Sequence, residues 1–282
     1  MKKALVIGAG PAGLMAAEEL ALAGLKVVVA EAKPSPARKF LMAGKSGLNL
    51  TKDEAFEDFV AAYDSPALRP MLEAFGPEDV KRWAEALEQE VFTGSSGRVF
   101  PKAMKASPLL RAWLRRLDAL GVELKTRWRW IGGTEFETPE GRVSLAPDVT
   151  VLAMGGASWA RLGSDGAWAA QMPDLVAPFK PANMGFAVDW SAHMEPHFGA
   201  PVKQVELRAG GIKHRGEFVV SKRGLEGGGI YVLSKAMREG AALWLDLMPD
   251  VSLAEVEARL AKAGKQSLPN VLKRLKLDPV KR

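Results

Sequence analysis

The chain contains no cysteine. That absence excludes disulfides, thiolate metal sites and the redox-active cysteine pair of disulfide reductases, and it suits a cytoplasmic protein. No apolar run is long enough to span a bilayer, so no membrane partner is expected. Met1-Lys-Lys and the apolar residues after it resemble the start of a signal peptide, but glycine, proline and then Glu18-Glu19 interrupt them. Internal repeats, low-complexity tracts and a nucleophile-elbow motif are all missing, which leaves Ser-His-Asp hydrolysis without support. Histidine is scarce. His193 and His197 have the i,i+4 spacing of a helical metal pair, yet Pro196 disfavours a regular helix and no third ligand stands nearby, so no metal is expected.

What remains is an ordinary globular composition: 282 residues, 48% hydrophobic and 26% charged, enough for one large or two modest domains. The net charge of +6 is modest and gathers locally at residues 111–116, 125–129 and 273–282. A basic surface attracts anionic substrates, or RNA non-specifically. Solvated helix faces explain the charge more simply, and nucleic acid is not expected as a partner. Trp128 and Trp130 alternate with Arg127 and Arg129, the period of a half-buried strand rather than of a base-stacking platform.

The N-terminus is the most informative segment. Lys3-Ala-Leu-Val-Ile-Gly8-Ala-Gly10-Pro-Ala12-Gly13 leads into an alanine-rich stretch and then Lys26-Val-Val-Val-Ala-Glu31. Strand, GxGxxG turn, helix and a second strand ending in an acid form a βαβ dinucleotide cradle. Gly8 permits the tight turn, Gly10 lets backbone approach a pyrophosphate, and Gly13 lets the helix pack on the sheet. The helix start attracts phosphate through its free N–H groups and dipole. Glu31, 18 residues beyond Gly13, is placed to accept the ribose hydroxyls.

Beyond it, residues 33–52 read as loop and 53–90 as helical, with Pro66 and Pro77 as helix starts. Residues 98–101 form an extended link. Ser107-Pro108 caps a helix to about Leu120, ended by Gly121, and a strand follows through Leu124. Residues 134–146 read as a β-meander, and 148–153 as an apolar parallel strand running into Gly155-Gly156. From about residue 183 the pattern changes to short strands at 184–189, 202–208, 215–220 and 242–247, with a helix start at Gly227-Gly-Gly229. Ser252 and Glu255 form a capping box for a helix through Lys262, and another helix covers 267–276. The expected fold is α/β: a Rossmann-like domain at 1–182, a β-rich substrate-side domain at 183–250 and a helical subdomain from 251 to 282.

The second strand-to-glycine turn, Val151-Leu-Ala-Met154-Gly155-Gly156, adds a ligand-binding edge and favours a large, two-ended cofactor such as FAD over a mononucleotide. With these residues in view, the chain resembles the NAD(P)/FAD-dependent oxidoreductases of the BaiN/RdsA type, and within them an uncharacterised bacterial flavoprotein subgroup. The likeness covers nearly the whole chain. It includes Arg38-Lys-Phe-Leu-Met-Ala-Gly-Lys-Ser-Gly-Leu-Asn-Leu-Thr51, Gly97-Arg-Val-Phe-Pro101, Gly155-Gly-Ala-Ser-Trp-Ala-Arg-Leu-Gly-Ser-Asp-Gly166 and Gly224-Leu-Glu-Gly-Gly-Gly-Ile-Tyr231. The resemblance implies an FAD-binding oxidoreductase with the β-rich and helical domains inserted into a Rossmann-like one.

Three departures from the family pattern stand out. A turn threonine is Met154, the glycine before Arg38-Lys39 is Ala37, and the Gly-Asp pair of the family's closing segment is missing. The last departure makes an incomplete flavin end, and an inactive fragment, one expectation for this chain. The expected cofactor residues are Gly8, Gly10, Ala12, Gly13 and Glu31 at the ADP half, with Gly155 and Gly156 at the second turn. Arg38 and Lys39 either neutralise phosphate, lie near the flavin, or are two surface cations. Asn49 and Thr51 are placed by the resemblance against the flavin, or else cap a helix near Asp53. The triple glycine at 227–229 either points N–H groups at a ligand or is a simple turn. No catalytic acid is legible, and Tyr231 reads as a packed residue more readily than as a proton donor. The implied function is reduction of an electron-poor small molecule with NAD(P)H as donor; the alternative is a tRNA- or RNA-modifying or RNA-binding flavoprotein.

Overall fold

The apolar run after Lys3 forms β1 (Lys3–Ile7), buried from Ala4 onward as a strand covered on both faces must be. The computed structural model describes residues 1–45, 47–261 and 266–282, and the chain divides into two units, Met1–Phe179 and Lys180–Arg282. In the first unit α1 (Pro11–Leu22) and β2 (Lys26–Glu31) complete the first crossover. There follow α2 (Arg38–Ala43), β3 (Thr51–Lys52), α3 (Phe56–Ala61), α4 (Arg69–Ala74) and α5 (Pro77–Ala86). Next are β4 (Val91–Thr93), β5 (Arg98–Pro101), α6 (Ala106–Ala119) and β6 (Glu123–Thr126). The unit's last strands are β7 (Arg129–Gly132), β8 (Glu135–Thr138), β9 (Gly141–Ser144) and β10 (Val149–Leu152).

A parallel sheet in the order β10-β1-β2-β6 is the frame, with Val6 opposite Val29 on one side and Val151 on the other. One face is covered by α1, α5 and α6 through Leu14, Ala84, Leu109 and Trp113. The meander β7-β8-β9 covers the other through Phe136, packed with Leu5, Ile7 and Ala30. Glu18 on α1 is buried yet satisfied. Its carboxylate accepts from the indole of Trp113 (2.6 Å) and from Arg116 (2.9 Å), tying α1 to α6. A buried carboxylate is tolerated only when paired in this way.

The second unit contains β11 (Phe186–Ala187), β12 (Pro201–Ala209), β13 (Ile212–Ser221), β14 (Gly224–Glu226), α7 (Gly228–Val232) and α8 (Ser234–Arg238). It ends with β15 (Trp244–Asp246), α9 (Leu253–Ala261) and α10 (Leu268–Arg274). Its sheet, β11-β14-β13-β12-β15, is antiparallel throughout. Alternating Val202, Val205, Leu207, Phe218 and Val220 meet Ile230, Leu233 and Met237 from α7 and α8.

Several expectations need correction. Residues 33–52 are not all loop: α2 and β3 lie within them, the helix hidden by prolines on one side and glycines on the other. Ser107 does not cap α6, which starts one residue earlier with Lys105 before it; Pro108 fits its first turn, where no N–H is needed. Pro77 does open α5, but Pro66 opens only a 3₁₀ turn. Residues 98–101 are not a link but β5, the middle strand of a small sheet. The strand β14 begins at Gly224, where a Cβ would lie 1.8 Å from the Phe186 carbonyl oxygen. The Ser252 cap holds, taking the Glu255 N–H at 3.3 Å, while the expected helix end at Lys262 lies outside the described residues. The charge is placed differently too. The first unit has 22 Lys/Arg and 22 Asp/Glu, the second 17 and 11, so the whole surplus belongs to the second. The clusters at 111–116 and 125–129 are balanced locally, by Arg116–Glu18, Lys125–Glu123 and Arg129–Glu137 pairs.

Candidate functional site

At the carboxyl edge of the parallel sheet β1 is held between its neighbours by backbone alone. Gly8 N–H donates to the Ala30 carbonyl (2.8 Å), and Ala153 N–H to that of Ile7 (2.8 Å). Gly8 has φ +105, and a Cβ there would stand 2.4 Å from the Ala153 oxygen. A Cβ on Gly13 would stand 1.8 Å from the Gly8 oxygen, so α1 packs on the turn only because that position is glycine. Gly10 differs from both. It is the N-cap of α1, with φ −80 and ψ 179, and a Cβ on it would meet nothing within 4 Å. Pro11 at N1 has no N–H to lose, so the unpaired donors of the helix start at Ala12 and Gly13.

The turn opens onto a cavity of about 470 Å³ in the first unit. Of the residues singled out from sequence, Gly8, Gly10, Glu31, Arg38, Lys39 and Gly155 line it, while Ala12, Gly13, Gly156, Asn49 and Thr51 do not. Thr51 pairs with Val99 in the β3–β5 ladder and Asn49 is exposed. Neither caps α3, whose N-cap is Ala55. Ser46, in the same motif, lies outside the described residues. Residues not expected at a cofactor complete the walls: Lys33, Ser35, Trp128, Trp130, Ser164, Asp165 and Trp168. The two tryptophans were read as strand residues, and both are half-buried beside Phe136, but what puts them at the cavity is β7 following β6 along β2.

Glu31 accepts the Ala9 N–H (3.1 Å) on one oxygen and the Lys33 N–H (2.8 Å) on the other. A carboxylate has about four acceptor positions, so two remain for hydroxyl donors in the cavity. Arg38 donates to Ser35 Oγ (3.3 Å), while its Nε is buried with no partner. A buried cationic N–H without an acceptor is costly, and elsewhere the guanidinium lines the cavity, where it offers an anion a charged donor. Lys39 is already engaged, its ammonium donating to the carbonyls of Gly156 (2.8 Å) and Ser164 (2.6 Å). Burial pushes its pKa below the ordinary lysine value; Asp165 opposes that shift and Lys33 adds to it. Gly155 turns at φ +70, and its carbonyl accepts the Trp168 indole N–H (2.9 Å).

Other candidates fall elsewhere. His193 and His197 sit in a 3₁₀ run containing Pro196, so they do not share a helical face. Among the described residues no group of three or more His, Cys, Asp or Glu could hold a metal, and no helix is long and apolar enough to cross a membrane. Gly229 is a packing glycine, since a Cβ there would stand 2.5 Å from the Glu217 oxygen. Tyr231 packs against the core of the second unit.

A cradle with backbone approach at Gly10, free acceptors on Glu31 and a cation at Arg38 whose one side-chain partner is the Ser35 hydroxyl fits a dinucleotide. Comparison with known families agrees. The HI0933-like protein Rossmann domain matches residues 2–220, and the HI0933-like barrel and H2TH domain matches 180–276. The chain belongs to the HI0933-like family. These are FAD-dependent oxidoreductases of the BaiN/RdsA type. Among solved structures, Thermovibrio ammonificans THI4 is similar at 13% identity over 70% of this chain and 71% of that one, with TM-score 0.38. BexE is 17% identical over 87% and 52%, with TM-score 0.39. A 3-ketosteroid-delta4-(5alpha)-dehydrogenase from Rhodococcus jostii RHA1 is 16% identical over 55% and 46%, also at 0.39. The chain thus spans about half the length of the last two, and at these values the likeness carries no argument about activity.

Proposed function

We propose that this HI0933-like chain binds FAD with the ADP moiety in the first unit's cavity and serves reduction of an electron-poor small organic molecule by NAD(P)H. The observation that carries the cofactor reading is the convergence of the open Gly10 turn, the free acceptors of Glu31 and the cationic Arg38 on one cavity. FAD, when bound, supplies the hydride chemistry. The chain's own residues do the rest. Gly10 and the N–H groups of Ala12 and Gly13 receive the pyrophosphate, Arg38 neutralises it, and Glu31 holds the adenosine ribose. Trp128 and Trp130 wall the same cavity with apolar surface and exclude water from it. Gly155 and Gly156 border the path towards the flavin, and the resemblance assigns Asn49 and Thr51 to that end. The choice of NAD(P)H and of substrate rests on the family alone.

Two measurements test the reading. Purified protein titrated with FAD is expected to quench flavin fluorescence to a one-to-one endpoint. The loaded protein, mixed anaerobically with NADH or NADPH, is expected to bleach its flavin absorbance. No FAD uptake sinks the cofactor reading, and uptake without bleaching by either nucleotide removes the hydride donor.

A further inference from the structure

Lys39 was read as facing a phosphate, as lying near a flavin or as one of two surface cations; its ammonium bridges two backbone carbonyls 117 and 125 residues away, those of Gly156 and Ser164. Two acceptors on one nitrogen bring the ends of residues 156–164 within roughly two hydrogen-bond lengths of each other. A short surface segment with its ends together is an Ω-type loop. Its internal hold is slight: one 3₁₀ turn, Ala160–Leu162, with Leu162 N–H on the Trp159 carbonyl (2.8 Å) and Gly163 N–H on that of Ala160 (3.2 Å). Trp159 stands at φ +55, a strained backbone for a bulky residue, and is 63% exposed. Among the described residues, no side chain from 157 to 163 makes a hydrogen bond or ion pair. Leu162 and Gly163, with Ser164 and Asp165 just beyond, nevertheless form one wall of the cavity.

We propose that Lys39 is a positioning residue that pins residues 156–164 to the phosphate cradle and so sets one wall of the cofactor cavity. Two contacts make the pin specific. The Ala37 N–H, two residues before Lys39, donates to the Ala9 carbonyl (2.8 Å), so α2 is referenced directly to the glycine turn. Gly163 leaves room for the lysine stem, since a Cβ there would come 3.2 Å from Lys39 Cε. Trp168, bonded to Gly155, holds the chain just before the loop and leaves the loop itself to Lys39. The role of the wall rests on the cavity being a cofactor site; the pin itself does not.

Arg161 is exposed within the loop and gives trypsin a place to report on it. Initial cleavage after Arg161, read by mass spectrometry, would be compared for the natural chain, Lys39→Met and Gly163→Val, alongside urea unfolding and FAD titration. Loss of two charge-assisted hydrogen bonds predicts cleavage about tenfold faster or more in Lys39→Met. Cleavage at other sites and the unfolding midpoint are expected to stay unchanged, as a general loss of structure would not leave them. Gly163→Val, which crowds the lysine stem but keeps its charge, is expected to fall between the two and reads the same contact should Lys39→Met not fold. Faster cleavage supports the pin even in protein that takes up no FAD, which would overturn the cofactor reading alone. Cleavage at the natural rate in both folded variants overturns the pin, whatever FAD does.

Discussion

The two glycine turns at the carboxyl edge of the parallel sheet are held in opposite ways. At residues 8–13 backbone packs on backbone: Gly8 against Ala153, Gly13 against Gly8, and Gly8 N–H on Ala30. At residues 155–166 the chain is mostly exposed, and side chains from elsewhere fix it, Lys39 on Gly156 and Ser164, Trp168 on Gly155. The first turn is part of the core and tolerates no added atom at Gly8 or Gly13. The second is a wall that can be loosened without unfolding the sheet. A site built this way separates phosphate binding, which needs a rigid cradle, from the side of the cavity that can move.

The largest effect expected is at the first turn. Gly13→Ala drives a Cβ into the Gly8 carbonyl, and neither backbone can give way without moving α1 off the sheet. The loss is expected to reach about 3 kcal/mol or more in urea unfolding, the upper range of overpacking. A change below about 1 kcal/mol would mean that the cradle is softer than its contacts imply.

Arg38→Met comes next and breaks the comparison in a different way. It removes the buried N–H that lacks a partner, so unfolding stability is expected to hold or rise slightly, while FAD affinity falls about tenfold, the scale of one charged hydrogen bond. Equal loss of both quantities would make Arg38 a structural residue. The smallest effect is at Ala37, which adopts φ +53 at the head of α2. Ala37→Gly is expected to raise stability by up to about 1 kcal/mol, since the left-handed conformation costs an alanine that much. A destabilised variant would show that the buried methyl matters more than the strain.

The same contrast explains what was legible in the sequence. Turns built by backbone contact demand glycine at fixed spacing, so Gly8, Gly10, Gly13 and the strand pair around them could be read directly. The glycine that commonly precedes Arg38-Lys39 now has a reason as well: position 37 is left-handed. The second wall could not be read, because its contacts join residues more than a hundred positions apart through side chains of unremarkable type. Lys39 read equally as a phosphate or flavin neighbour and as half of a surface pair, and Trp128 and Trp130 read as ordinary strand residues. Their place at the cavity follows from strand order, which local periodicity does not specify. Helix α2 was missed for a related reason: six residues between strong loop signals carry too little pattern of their own.

In the proposed function, the open turn at Gly10 receives the pyrophosphate of FAD. A Cβ at Gly10 meets nothing within 4 Å, and its backbone is extended, so Gly10→Val is expected to fold with stability close to that of the natural chain. The deciding measurement is FAD titration of the two proteins side by side, with urea unfolding as the control. The natural chain is expected to bind FAD and the folded Gly10→Val protein to bind it about a hundredfold more weakly, because the side chain occupies the position of the phosphates. Equal binding by the two proteins, or none by the natural chain, would contradict that reading.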